Sequence, residues 1–223
     1  MYLSPSLNNI NGINPDQTFV TQTSDPGDLR CGAFSMAFYQ WLNYEGKTYS
    51  SDQAADYGTV DNIYSRITFG SAYSNIGEYN LSATSNPLKM LDYACTVLGN
   101  TSAEFYRDNT IPEMEGIHTA IAFLDSDLFA GYAAKDKTGG IPALGTGQYA
   151  IAVFSVALIN DTFDALHWIL FHRTASGYEL YDPYFGKAIS ANENQLKGSE
   201  PIFVTYPAGD RKLLSMNSCL YLP

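Results

Sequence analysis

The sequence predicts an α+β fold, with helices in its first half and antiparallel strands in its second. Three observations predict it. Residues 31–42, Cys-Gly-Ala-Phe-Ser-Met-Ala-Phe-Tyr-Gln-Trp-Leu, are apolar nearly all round, the mark of a buried helix. Residues 85–99 carry a full set of helix start and stop signals. From residue 150 onward, β-branched and aromatic runs alternate with turn residues.

Each element follows in order. The first thirty residues are turn-rich, with Asn11-Gly12, Asn14-Pro15 and Asp25-Pro26-Gly27, and read as an extended lead-in. The buried helix opens at Cys31 and stops by Gly46. Ser51 to Arg66 reads as a second helix, capped by Ser51 or Asp52. In the third, Ser85 or Asn86 caps the start and Pro87 takes the first position. Leu88, Leu91, Ala94, Cys95 and Leu98 then form its stripe, and Gly99 ends it. A shorter helix begins at Pro112, although Gly116 to Leu124 also suits an extended chain. Residues 125–148 read as a glycine-rich connection. Ala150 to Ile159, Leu166 to Thr174, Gly177 to Asp182 and Ile202 to Tyr206 are the strands, and Ala175-Ser176-Gly177 is a hairpin turn between two of them. A C-terminal strand holds Cys219.

The chain has 223 residues, 45% hydrophobic, enough for one sizeable core. The expectation is one domain, its helical part at roughly 31–124 and its β-rich part at roughly 148–223. Charged residues make up only 16%, while 17 Tyr and 12 Phe supply amphipathic surface. A formal net charge of -11 without a Lys/Arg cluster repels phosphate backbones and anionic lipid, which argues against nucleic acid and membrane partners. The longest apolar run, Tyr149 to Ile159, is too short to cross a bilayer. Met1 to Pro15 shows neither a basic nor an apolar leader region, so the expected location is the cytosol, or outside the cell by a route needing no classical signal peptide. Three cysteines, at 31, 95 and 219, fit reduced thiols better than a disulfide framework.

The chemistry centres on Cys31. A cysteine acts as a nucleophile only as thiolate, and the free N–H groups and dipole at a helix start stabilise that charge. Gly32 beside it allows a substrate backbone to approach the sulfur. An isolated cysteine is more often a buried structural one, so the remaining residues decide. His167 stands at the entry of a strand in Leu166-His167-Trp168-Ile169-Leu170. Asp182 ends the next strand in Tyr178-Glu179-Leu180-Tyr181-Asp182-Pro183. The hairpin around 175–177 brings both to one rim, where a carboxylate accepts the imidazole N–H. Trp168, beside the base, either shields that bond from water or is ordinary packing. His172, five positions on, points to the opposite face, and His118 has no evident partner. Cys95, Cys219, Trp41, Phe34 and Phe38 read as core. Cys31, His167 and Asp182 lack the close ligand spacing of a metal site, and no cofactor motif is visible.

Cys31-Gly-Ala-Phe opening an apolar helix, with His167-Trp-Ile-Leu and Tyr-Glu-Leu-Tyr-Asp182-Pro far downstream, resembles the papain-like cysteine peptidase superfamily. The order and the His–Asp spacing are similar to its bacterial effector and toxin branches, which include proteases and glutamine deamidases. The resemblance covers the helix after residue 31 and the hairpin at roughly 165–185. It implies a helical subdomain carrying the nucleophile, an antiparallel β-subdomain and a cleft between them. It also implies a polar side chain just before the cysteine that stabilises the oxyanion. Gln22 has the right type, nine residues upstream; Asp28 is nearer but, ionised, cannot donate.

The leading expectation is therefore a cysteine protease acting on a protein or peptide through Cys31, His167 and Asp182, with Gln22 as oxyanion donor. A glutamine deamidase and a cell-wall amidase would share that machinery. A non-enzymatic binding module on the same scaffold, or a chance coincidence of the three residues, are the competing classes.

Overall fold

A computed structural model of the chain describes residues 29–43, 57–74, 81–158, 165–184, 188–206 and 209–223. Helix α1 (Cys31–Asn43) is followed by α2 (Tyr57–Ile67), a 3-10 turn (Ser71–Tyr73) and α3 (Pro87–Thr96). Strand β1 (Glu104–Arg107), helices α4 (Pro112–Leu124) and α5 (Ser126–Tyr132), and strand β2 (Asp136–Thr138) come next. The rest is β3 (Tyr149–Leu158), β4 (Ala165–Arg173), β5 (Tyr178–Tyr181), β6 (Ala188–Ala191), the single-turn α6 (Glu193–Leu196), β7 (Ile202–Tyr206) and β8 (Gly209–Leu222).

The strands form one sheet in the order β2-β1-β8-β3-β4-β5-β6, with β7 paired to β8 off that path. Every described pairing is antiparallel except β1 with β2. The fold is thus mixed α and β with a mostly antiparallel sheet. The α+β expectation agrees at that level, but the segregation is incomplete. β1 lies inside the stretch read as helical, and residues 125–148 are more than a connection, since they hold α5 and β2. These two strands are four and three residues long, too short to show a period in sequence. At Pro112 the helical alternative holds, through Leu124.

Burial explains the layering. β3 and β4 are apolar on both faces because both faces are covered. Ile151, Val153, Trp168 and Leu170 join one core with α1, α2 and α3; Ala152, Phe154, Ile169 and Phe171 join a second with residues of β7 and β8. Eleven of the thirteen α1 residues are buried, so this helix is the centre of the first core. Its Ser35 hydroxyl donates to the Trp168 carbonyl at 3.0 Å, a buried bond that fixes α1 against β4. The α3 start is built as its sequence predicts, with Asn86 as the cap. Its Oδ1 accepts from the Leu88 and Lys89 N–H groups at 2.9 and 3.2 Å, and Pro87 follows. The predicted α2 cap, Ser51 or Asp52, and the proposed α1 stop at Gly46 lie outside the described residues.

β8 is bent. Its register against β3 shifts between Ala152 and Phe154, and Asn217 within the irregularity has φ 46°. The half before the bend pairs with β7 and the half after it with β1. β7 alternates, with Ile202, Val204 and Tyr206 inward and Phe203 and Thr205 outward. That alternation delivers the Tyr206 side chain to the second core.

Candidate active site

Cys31 is the first residue of α1, and the helix's first-turn bond runs from Phe34 N–H to the Arg30 carbonyl at 3.0 Å. N–H groups ahead of Phe34 have no carbonyl within the helix to bond, and no carboxylate stands in this first turn. Arg30 adds a cation next to the sulfur's residue, held by Asp61 at 2.6 Å.

His167 and Asp182 meet as the hairpin geometry requires. β4 and β5 pair Leu170 with Tyr181, Phe171 with Leu180, His172 with Glu179 and Arg173 with Tyr178. Extending that register sets Asp182 opposite Ile169, and His167 is the diagonal neighbour on the same face. Its Nε2 lies 2.9 Å from Asp182 Oδ1, with the imidazole 3% exposed and the carboxylate's residue fully buried. Oδ1 also accepts the Tyr184 backbone N–H at 2.9 Å, closing the Asp-Pro-Tyr turn. Oδ2 accepts the Tyr206 hydroxyl at 2.5 Å. A buried carboxylate with three donors is satisfied and cannot swing away from the ring.

Asp182 engages one ring nitrogen of His167, and Cys31 lies near enough to act on the same ring. Burial by itself would lower the His167 pKa. The charge and hydrogen bond of Asp182, joined by the hydrogen bond and charge of Cys31, outweigh it and push the group up to about 10. A protonated imidazole beside a thiol is the electrostatic setting in which thiolate forms.

Cys31 is 6% exposed and lines a small cleft. Its walls are mainly apolar: Phe69 and Leu81, Met114 and Ile117 of α4, and Leu166 and Trp168 of β4. Cys31, Thr84 and Ser85 are its polar lining residues.

The structure thus brings Cys31, His167 and Asp182 together, while Gln22 lies outside the described residues, as does Asp28. Two local expectations change. Trp168 does not cover the His–Asp bond, because neighbouring strand residues face opposite ways and Trp168 lines the cleft instead. The ring over His167 belongs to Tyr184, 5.0 Å away between centroids and tilted 31°. Gly32 does give close approach, but to a side chain of this chain. A Cβ there would lie 2.3 Å from Ser85 Oγ.

Tyr206, whose hydroxyl reaches Asp182, is a residue of this cluster that the sequence reading missed. Its signal was present: a tyrosine closing an inward-facing alternation must find a buried partner for its hydroxyl. The other candidates sit elsewhere. His172 stacks on Tyr149 at 4.3 Å, on the face opposite His167, and burial lowers its pKa against the pull of Glu179. His118 does have a partner, Asp136 at 2.6 Å, which Arg107 also approaches at 3.4 Å while pairing with Glu115. That cluster ties α4 to β1 and β2. Cys219 is fully buried, and burial pushes its thiol up. Cys95 is half-buried and packs against the first core, with its thiol also raised by burial.

Among the described residues, no group of three or more His, Cys, Asp or Glu side chains is placed to hold a metal ion, and no helix is long and apolar enough to cross a membrane. No protein-family model, no curated protein and no solved structure matches the chain.

Proposed function

We propose that this chain is a cysteine hydrolase of papain-like architecture that cleaves amide bonds, most directly as a protease. One observation carries the reading: His167 is clasped between the buried, triply hydrogen-bonded Asp182 and the thiol at the start of α1.

The reaction follows from those positions. The Cys31 thiolate attacks the carbonyl carbon, and the carbonyl π pair moves to oxygen. Collapse breaks the C–N bond, while the His167 imidazolium gives its proton to the leaving amine. A thioester and neutral imidazole remain. Water then attacks the thioester carbon and passes a proton to His167; the C–S bond breaks, releasing the acid and restoring the thiolate–imidazolium pair. Asp182, held by Tyr206 and the Tyr184 N–H, keeps the ring in one orientation throughout.

The apolar cleft at Cys31 supports a peptide carrying a bulky apolar side chain beside the scissile bond. Burying a Leu or Phe side chain there contributes about 1.5–3 kcal/mol. A sugar-bearing cell-wall peptide would strand hydroxyls against the same walls.

The test is mass spectrometry of an unfolded protein mixture after incubation with the chain. Proteolysis gives new termini next to apolar residues, absent with Cys31→Ala. A gain of about one dalton at glutamine without cleavage, the mass of NH2 exchanged for OH, would replace protease by deamidase. If wild type, like Cys31→Ala, produces neither change, the enzymatic reading is overturned.

A further inference from the structure

An amide hydrolase needs a donor where the carbonyl oxygen becomes negative. Within the cleft, the polar side chains are few. Thr84 is engaged, its hydroxyl donating to the Leu81 carbonyl at 2.9 Å. Ser85 is not. Its Oγ is buried, the residue is 2% exposed, and it has no hydrogen-bond partner among the described residues. A hydroxyl left so is costly unless something else completes it.

Its position is fixed from both sides. The Phe69 N–H donates to the Thr84 carbonyl at 3.0 Å and the Asn86 N–H to the Ile67 carbonyl at 2.7 Å, while Asn86 caps α3. Thr68 and Ser85 form an isolated antiparallel bridge. The side chain rests against Gly32, so the hydroxyl lies at the first turn of α1, next to the residue that supplies the sulfur.

We propose that the Ser85 hydroxyl is the side-chain oxyanion donor of this site. As the Cys31 sulfur attacks, the carbonyl π pair moves to oxygen, and Ser85 Oγ–H donates a hydrogen bond to that oxygen alongside the Cys31 backbone N–H. No proton is transferred from Ser85; the bond strengthens as the charge forms and relaxes when the C–N bond breaks. The donor is preorganised by the 67–69 and 84–86 backbone pairing, which is what makes such a group effective. Gly32 belongs to the same device, because any Cβ would displace the hydroxyl. The proposal rests on the cysteine-hydrolase reading.

The experiment separates the two claims with two probes on the full chain. Iodoacetamide alkylates the sulfur without forming an oxyanion. N-acetyl-leucyl-phenylalaninal forms a hemithioacetal whose oxygen sits where the oxyanion would. Ser85→Ala and Ser85→Gly both remove the donor, so one folded variant suffices. Either is expected to weaken aldehyde binding by about 10- to 100-fold. Cys31 alkylation should stay within about twofold of wild type and the melting temperature should not fall, since no intramolecular bond is lost. Unchanged aldehyde affinity overturns the role of Ser85, and so does an equal loss in both probes, which would mean that the residue acts on the sulfur or the fold. If wild-type Cys31 neither leads the alkylation nor takes the aldehyde, the hydrolase reading itself falls, and this one with it.

Discussion

Tyr206→Phe removes one atom, the hydroxyl oxygen 2.5 Å from Asp182 Oδ2. The phenylalanine keeps the ring in the second core, where Tyr206 packs 4.8 Å from Tyr184. What changes is electrostatic. One oxygen of a fully buried carboxylate loses its donor, and no water reaches a residue of 0% exposure to replace it. A hydrogen bond to a charged group contributes about 1.5–3 kcal/mol. A chain of this size shifts by about 2–4 °C for each kcal/mol, so the melting temperature should fall by about 3–12 °C. Catalytic geometry should suffer too, because the freed carboxylate can rotate away from His167 Nε2. The assay pairs thermal unfolding with the iodoacetamide rate of Cys31, and both should drop. A variant within about 0.5 kcal/mol of wild type, the range of neutral surface changes, and with an unaltered alkylation rate would refute the reasoning. Asp182 would then not depend on Tyr206, and the account of how the base is oriented would lose its outer support.

Two further outcomes follow from the same geometry. His167 is raised from 6.5 to about 10, so its contribution to stability is fully present below pH 6.5 and is lost as pH rises toward and through 10. Wild-type stability should fall over that window more steeply than that of His167→Gln, as measured by urea unfolding at each pH; parallel curves would contradict it. Gly32→Ala should destabilise by about 1–3 kcal/mol, because its Cβ would meet Ser85 Oγ at 2.3 Å and Ser85 Cβ at 2.6 Å. Gly116→Ala, on α4 with nothing within 4 Å of the added carbon, should stabilise by about 0.5–1 kcal/mol, the ordinary helix effect. Thermal melts of the pair test this, and like signs would refute it.

Much of this was legible in the sequence because it is local. Pro87 after a capping residue, the all-round apolar face after Cys31 and the turn at 175–177 each announce themselves within a dozen residues. The His167–Asp182 meeting was legible for the same reason, since a hairpin converts sequence spacing into register. What stayed hidden depends on long-range placement. Tyr206 lies 24 residues beyond Asp182 and reaches it through the bend of β8 and the side-pairing of β7, which no local pattern encodes. Ser85 lies against Gly32 only once α3 has docked beside α1, so in sequence it reads merely as a possible cap. Trp168 shows the opposite failing. Proximity in sequence to His167 suggested a shield, and the period of two in a strand sent it to the other face.

The central claim is that His167 and Asp182 act on the Cys31 sulfur, and the relative reactivity of the three thiols tests it most directly. Iodoacetamide labelling near pH 7, resolved by peptide mass spectrometry, should modify Cys31 at least about tenfold faster than Cys95, whose thiol burial raises, with Cys219 essentially unlabelled. His167→Ala should remove that advantage while leaving Cys95 unaffected. Equal rates at Cys31 and Cys95, or a Cys31 rate indifferent to His167→Ala, would contradict the account.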